Sequence, residues 1–173
     1  MSLTTGSTTV RRDHQMRVDR LAFYEKDIER LNCELDAFLE LSGARCALLI
    51  DREGHLVTRR GESIDCPLES IAALIAGSFA ATKEMARLLG EDEFTIMFHQ
   101  GVRDSIQLQL VGDRTLLAVL FDERTNLGLV RFYAQETARR LSDVLETVYN
   151  QAPQASLAAD FQAQATQALD ELF

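Results

Sequence analysis

The sequence lacks the short motifs that mark the common catalytic and nucleotide-binding sites. It contains no GxxxxGK[ST] phosphate loop, no GxGxxG motif, no HExxH and no GxSxG. Its three histidines are isolated, and the best acid–base pair that can be drawn, His99 with Asp104 or Glu93, places a histidine at a strand end, where backbone groups usually satisfy it. We therefore expect a protein that is not itself an enzyme, with no catalytic residue, metal site or cofactor.

Cysteine, basic charge and long apolar runs are also scarce. Cys33, Cys46 and Cys66 are odd in number and have no CxxC spacing, which favours reduced thiols in a cytoplasmic protein. Eighteen basic residues against 27 acidic ones give a net charge of -9, which disfavours nucleic-acid binding. No apolar run reaches the roughly 18 residues of a membrane span, and the polar N-terminus is not typical of a signal peptide. The predicted location is the cytoplasm.

Apolar periodicity predicts the order helix, two strands, helix, three strands, helix. The helices are predicted at about 17–42, 65–90 and 127–149, and the strands at 44–51, 55–60, 94–99, 105–111 and 114–121. Strands grouped in hairpins favour an α+β fold, here a five-stranded antiparallel sheet with three helices.

The predicted domain covers residues 17–149 and has a polar segment on each side. Residues 1–16 are rich in Ser, Thr and Gly, and we expect them to be disordered. Residues 150–173 are expected to form a flexible linker, which contains Pro153, and a short amphipathic C-terminal helix. Because about three turns of isolated helix are marginal in water, this last segment either docks on a partner or stays unfolded.

The helix predicted around residues 65–90 is apolar on more sides than one core contact requires. One stripe is expected in the core and consists of Leu68, Ile71, Ala72, Ile75, Phe79, Thr82, Ala86 and Leu89. A second row consists of Leu74, Ala81, Met85 and Leu88, and a third, of small residues, consists of Ala73, Gly77 and Ala80 and ends at Glu84. Either the domain clamps this helix on several sides, or the second and third rows contact other chains.

Four stretches resemble the roadblock/dynein light chain domain family: 44–57, 70–94, 98–131 and, more weakly, 21–32. They cover about 130 of the 173 residues, and the pieces GEDEF, FHQG and FDERTNLGLVR within them resemble one subgroup in particular. The resemblance implies a homodimer in which the central helices lie side by side and the third strands pair. The dimer interface would then contain Leu74, Ala81, Met85, Leu88, Phe94, Ile96 and Phe98.

Members of this subgroup act in bacterial cell polarity and gliding motility, and recruitment to the cell poles is therefore an expectation for this chain. They bind a small Ras-like GTPase of the MglA type, two roadblock subunits to one GTPase, and activate it without inserting an arginine finger. The resemblance implies that the GTPase is contacted by Ala73, Gly77, Ala80, Ala81 and Glu84. It also implies tail docking through Phe161, Leu169, Leu172 and Phe173.

One departure from the subgroup leaves alternatives open. Lys83-Glu84 stands where small residues are usual, so the chain could instead be a dimeric scaffold or adaptor that binds a GTPase or polarity factor without stimulating hydrolysis. A small-molecule sensor or enzyme on a related α/β scaffold is a third class, which would require a polar pocket that the sequence pattern does not indicate.

Overall fold

The computed structural model describes the backbone of residues 25–170 and the side chains of residues 25–150. Its helices are α1, Glu25–Ser42; α2, Leu68–Leu88; and α3, Leu127–Asp170. Its strands are β1, Cys46–Asp51; β2, Leu56–Gly61; β3, Ile96–Gln100; β4, Ser105–Val111; and β5, Thr115–Phe121. The predicted order of elements and the α+β class are confirmed.

The five strands form one antiparallel sheet in the order β2-β1-β5-β4-β3. The β1–β2 and β4–β5 turns lie at one end of this sheet. At the other end, which we call the lower end, β1 and β4 begin and β2, β3 and β5 finish. The two edges of the sheet are β2 and β3.

Helices cover both faces of the sheet. Helix α2 packs on the face that carries alternate residues such as Leu48, Leu108 and Ala118. Because side chains alternate along a strand, the intervening residues, such as Leu49 and Val119, point to the opposite face, and they are also fully buried. Thr58 on β2 donates a hydrogen bond to the Asn32 side chain on α1, which lies on that second face. The core therefore has two layers, one on each side of the sheet.

Strand β4 differs from the expectation for an alternating strand. Its pattern of Ile106, Leu108 and Leu110 against Gln107 and Gln109 is typical of a strand with one wet face. Both glutamines are nevertheless buried, and both amide atoms of Gln107 have no hydrogen-bond partner among the described residues. The reason is that α3 covers this face, since Gln109 lies beside Gln135 and Ser142 of α3.

The last helix is longer than predicted. The backbone is helical through residues 150–159, where the sequence predicts a linker, and continues to Asp170. Pro153 has no N–H to donate and so removes one hydrogen bond of the helix, but the segment around it is rich in alanine, the strongest helix former. The predicted tail 1–16 and the side chains of Phe161, Leu169, Leu172 and Phe173 lie outside the described residues.

Gly54 in the β1–β2 turn allows α2 to approach the sheet closely. Its φ of +95° lies in the left-handed region, and a Cβ at this position would lie 2.8 Å from the Ala73 Cα. We expect Gly54→Ala to lower the free energy of unfolding by about 1–3 kcal/mol, because the turn is strained and the helix must move.

Urea denaturation of both proteins measures this effect, and Gly77→Ala is the matched control. Gly77 lies in α2 with nothing within 4 Å of its added Cβ. This second change should stabilise the protein by about 0.5–1 kcal/mol through helix propensity. Equal stability of Gly54→Ala and the wild type would contradict the close approach seen here.

Candidate partner-binding surface

The core stripe of α2 is largely as predicted, with one error. Ala72, Ile75, Phe79 and Ala86 are buried against the sheet. Leu89, which the sequence pattern assigns to the same stripe, is 73% exposed. The helix ends at Leu88, and Gly90 at φ +83° reverses the chain, so Leu89 leaves the helix before it can reach the core. Periodicity predicts which residues share a face of the helix, but it does not predict where the helix ends. Here the end of the helix decides the position of Leu89.

The small-residue row of α2 lies on the surface of the chain. Ala73, Gly77 and Ala80 are all exposed, as is the neighbouring Ala81 of the second row, and the small-residue row has no side chain larger than a methyl group until Glu84. Another backbone can therefore approach this row closely along about two turns of helix. The structure brings all five predicted GTPase-contact residues onto one accessible side of α2, and their role as contacts stays a prediction.

The second row of α2 is apolar and strongly exposed. Leu74 is 72% exposed, Leu88 is 88% exposed, and Met85 between them is about half exposed. Single exposed apolar residues are ordinary, but a row of large ones on one helix marks an interaction surface. The reading in which the domain clamps the helix on several sides is therefore wrong for the described residues, because these rows face outward.

The charged pair at the end of the small-residue row is partly neutralised within α2. Both carboxylate oxygens of Glu84 lie 2.9 Å from Nη1 of Arg87, one turn further along the helix. Both side chains are well exposed, so the pair contributes little stability. A partner that contacts position 84 therefore meets a carboxylate that is already paired with an arginine.

The predicted dimer strand β3 forms an edge of the sheet. Phe94, Ile96 and Phe98 are half-buried, and the Phe98 ring stacks on Phe121 with centroids 6.0 Å apart. On its inner side β3 pairs with β4, with Phe98 opposite Gln107. No strand of the described chain lies on its outer side. The N–H and C=O groups of that side are available to a second strand, as the homodimer prediction requires.

Arg52 connects α2, the neighbouring loop and two turns of the sheet. Its Nη1 lies 2.6 Å from Oε1 of Glu93, its Nε donates to the carbonyl of Asp113, and its guanidinium lies 5.9 Å from the Phe79 ring centroid. Glu93 follows Glu91 and Asp92 in an acidic stretch of the sequence, but its side chain is only 18% exposed. The hydrogen bond from Arg52 holds the pKa of Glu93 below its ordinary value. This contact joins residues 41 positions apart, and no local pattern predicts it.

Removal of Arg52 should destabilise the domain in a pH-dependent way. We expect Arg52→Met to lower the free energy of unfolding by about 1–2 kcal/mol at neutral pH, because Glu93 loses its charged partner in a partly buried place. A carboxyl group with a lowered pKa stabilises the fold above its ordinary value of 4.5, and this contribution disappears as the pH falls through the lowered pKa. The difference between the variant and the wild type should therefore shrink below pH 4.5.

Urea titrations at several pH values measure this difference, with Arg60→Met as the control. Arg60 contacts Asp36 at 2.7 Å in an exposed pair, so its removal should cost less stability than the removal of Arg52. An Arg52→Met effect that is equal to the control, or that does not depend on pH, would contradict the role assigned to Glu93.

The structure does not assemble the acid–base pair considered for His99. Asp104 contacts Arg45 and Glu93 contacts Arg52, so both carboxylates have arginine partners. A second cluster, Asp51, Glu53 and His55, has ligand atoms within 4.8 Å of one another.

The second cluster is accounted for by the turn itself. Asp51 Oδ1 accepts hydrogen bonds from the backbone N–H groups of Glu53 and His55, at 3.0 and 2.8 Å. This is the local role expected of Asp in a turn. Within the described part of the chain, no helix combines the length and apolar character needed to cross a membrane.

The sheet order, the outward rows of α2 and the open edge of β3 together define a roadblock-type domain. The Roadblock/LC7 domain model matches residues 33–121, just over half of the chain, and the chain belongs to this family. Among solved structures it is similar to the gliding protein MglB of Thermus thermophilus, with 35% identity, a TM-score of 0.69 and coverage of 72% of this chain and 95% of that one.

Two further MglB structures are similar to the same extent. Myxococcus xanthus MglB has 36% identity and a TM-score of 0.65, with coverage of 68% of this chain and 95% of that one. A structure described as MglB with a tetrameric arrangement has 35% identity and a TM-score of 0.70, with coverage of 73% and 95%. A comparison with curated protein sequences gives no significant match.

Proposed function

We propose that this protein is a homodimeric regulator of a small Ras-like GTPase of the MglA type and acts as its GTPase-activating protein in bacterial polarity or motility. The observation that carries the proposal is the exposed small-residue row of α2, on a chain that is 35% identical to the gliding protein MglB. The side chains of this row are the ones whose size lets a partner backbone lie directly on the helix.

The second row of α2 and the edge strand β3 support the proposed homodimer. Leu74, Met85 and Leu88 are exposed in the single chain and would become buried against the same row of a second copy. Pairing of the two β3 edges would satisfy the outer N–H and C=O groups and join the two sheets. In the proposed two-fold arrangement, two small-residue rows would lie next to each other and would offer one GTPase a surface made by two subunits.

Activation in this proposal works by selecting a conformation of the GTPase. Phosphoryl transfer depends mainly on positioning and on charge stabilisation, and a partner can promote it by binding the state in which the GTPase's own residues are placed for hydrolysis. A surface of alanines and glycine suits this mode, since it offers shape and no reacting group. The net charge of -9 would also steer a partner with a basic face toward the protein.

A non-stimulating scaffold is the second candidate, and Lys83-Glu84 favours it. A long charged side chain at the end of the small row changes the shape that a GTPase would meet, although the carboxylate of Glu84 is paired with Arg87. Such a chain would still dimerise and bind, but it would not favour the hydrolytic state.

Single-turnover GTP hydrolysis separates these functions. The GTPase of the MglA type from the same organism is loaded with GTP, and phosphate release is followed with and without an excess of this protein, beside a binding assay with a GTP analogue. Acceleration supports the activator. Binding without acceleration supports the scaffold, and Lys83→Ser with Glu84→Gly should then restore stimulation. The absence of binding would reject both.

We further propose that two dimers of this protein assemble into a tetramer. One MglB structure that is 35% identical has a tetrameric arrangement. A closed tetramer of identical chains that is built from two-fold dimers requires two different interfaces on each chain. The proposed dimer uses the surface of α2 and β3 for one of them.

A further inference from the structure

Four further exposed apolar residues lie on elements that begin or end at the lower end of the sheet. Leu41 is in the last turn of α1, Leu129 and Phe132 are in the first turns of α3, and Val102 is in the β3–β4 turn. All four side chains are exposed; Phe132 is 59% exposed and Val102 completely so. We call these four residues the end surface.

A hydrogen bond joins the two helices that carry three of the four residues of the end surface. The Thr125 hydroxyl donates a 2.6 Å hydrogen bond to the Ser42 carbonyl, which ties the start of α3 to the end of α1. Leu129 and Phe132 are three residues apart in a helix and therefore lie on the same side of it. None of the four side chains belongs to α2 or β3, the two elements that carry the contacts of the proposed dimer.

A network of charged side chains lies at this same end. Arg45 contacts Glu62 at 3.0 Å and also Asp104, and Arg124 contacts Glu62 at 2.9 Å and Asp122 at 3.0 Å. Hydrogen bonds from these arginines lower the pKa of both Glu62 and Asp122. The five charges are thus satisfied by one another within the chain.

Two charges of opposite sign remain beside this network. Arg103 and Glu123 line the same open cleft of about 490 Å³ as the network. Among the described residues, neither has an ion pair or a side-chain hydrogen bond. A surface with one unpaired positive group and one unpaired negative group complements itself when a two-fold axis brings it against a copy, because each contact then occurs twice.

We propose that the end surface is a two-fold interface between copies of this chain and joins two homodimers into a tetramer. Arg103 of each copy meets Glu123 of the other, and Leu129 and Phe132 supply the apolar contact. The inference rests on the proposed homodimer, because it assigns the second interface of that assembly. Because the end of the sheet carries both a free positive and a free negative group, a second copy of this chain complements it better than a partner whose surface charge has one sign.

Charge reversal tests the pairing directly. We expect the full-length wild type to pass from dimer to tetramer as its concentration rises. Arg103→Glu should raise the tetramer dissociation constant at least about tenfold, since two like-charge contacts replace two ion pairs. The double variant Arg103→Glu with Glu123→Arg should restore the wild-type constant. Phe132→Asp should prevent the tetramer. Sedimentation velocity over a range of concentrations measures all four proteins.

Arg139→Glu is the matched control, because Arg139 is another exposed arginine but contacts Glu136 on its own helix. It should leave the tetramer unchanged. A wild type that stays dimeric at every concentration overturns the inference, and so does a double variant as weak as Arg103→Glu. The proposed function survives either result, because the dimer and its GTPase stimulation persist. A wild type that is monomeric throughout would instead contradict the homodimer.

Discussion

Ala80→Arg should abolish stimulation of the GTPase while leaving the dimer intact. Ala80 is exposed in the middle of the small-residue row, so a long charged side chain there occupies the space that a partner backbone needs. Burial of that charge without a partner would cost at least about 3 kcal/mol, which corresponds to a loss of roughly 100-fold or more in affinity. The fold should tolerate the change, because arginine is a good helix former and the position faces outward.

Titration of the GTPase with the variant, followed through phosphate release and through binding of the GTP-analogue complex, measures this loss. Gln135→Arg is the matched control, because it adds the same side chain to an exposed position of α3. It should behave as the wild type. Normal stimulation by Ala80→Arg would show that the GTPase does not use the small-residue row, whatever else it binds.

Met85→Asp should separate the homodimer into monomers. Met85 lies between Leu74 and Leu88 along the apolar row. Both copies contribute this side chain to a two-fold interface, so one substitution changes the interface at two places. Loss of about 1.5–3 kcal/mol of apolar burial per copy, together with two buried charges, should raise the dimer dissociation constant by a factor of at least about 100.

Sedimentation velocity at nanomolar to micromolar concentrations measures the dissociation constant, and far-UV circular dichroism checks the fold. Gln135→Asp adds a carboxylate to α3 and should leave the dimer unchanged. If Met85→Asp remained a dimer at every concentration, the apolar row of α2 would not be the seam between the subunits.

Local patterns in the sequence were sufficient to predict most of the fold. The period of two and the period of 3.6 indicate strands and helices by themselves, and the predicted strand at 105–111 coincides with β4, Ser105–Val111. Long-range features were not predictable in this way. Gln107 is buried because α3 covers β4, and Leu89 is exposed because the chain turns at Gly90. Both depend on contacts or boundaries that periodicity does not contain.

The candidate site was predictable in part for the same reason. The three rows of α2 follow from its helical period, so the residues of each row could be named from the sequence alone. The sequence could not show which rows face outward, since that depends on where the sheet lies. Arg52 was missed altogether, because its contacts with Glu93, Phe79 and Asp113 join parts of the chain that are far apart in sequence.

The open edge of β3 has a consequence for the newly made chain. While this edge is uncovered, its unpaired backbone groups and the neighbouring Ile96 and Phe98 form a template on which any extended chain can add a strand. The strand is only five residues long and ends in the polar pair His99-Gln100, features that restrict how far such mispairing can extend. Rapid formation of the proposed dimer would then protect the protein against aggregation. At low cellular concentrations more of the protein would be present as the single chain, which is the form most exposed to proteolysis and misassembly.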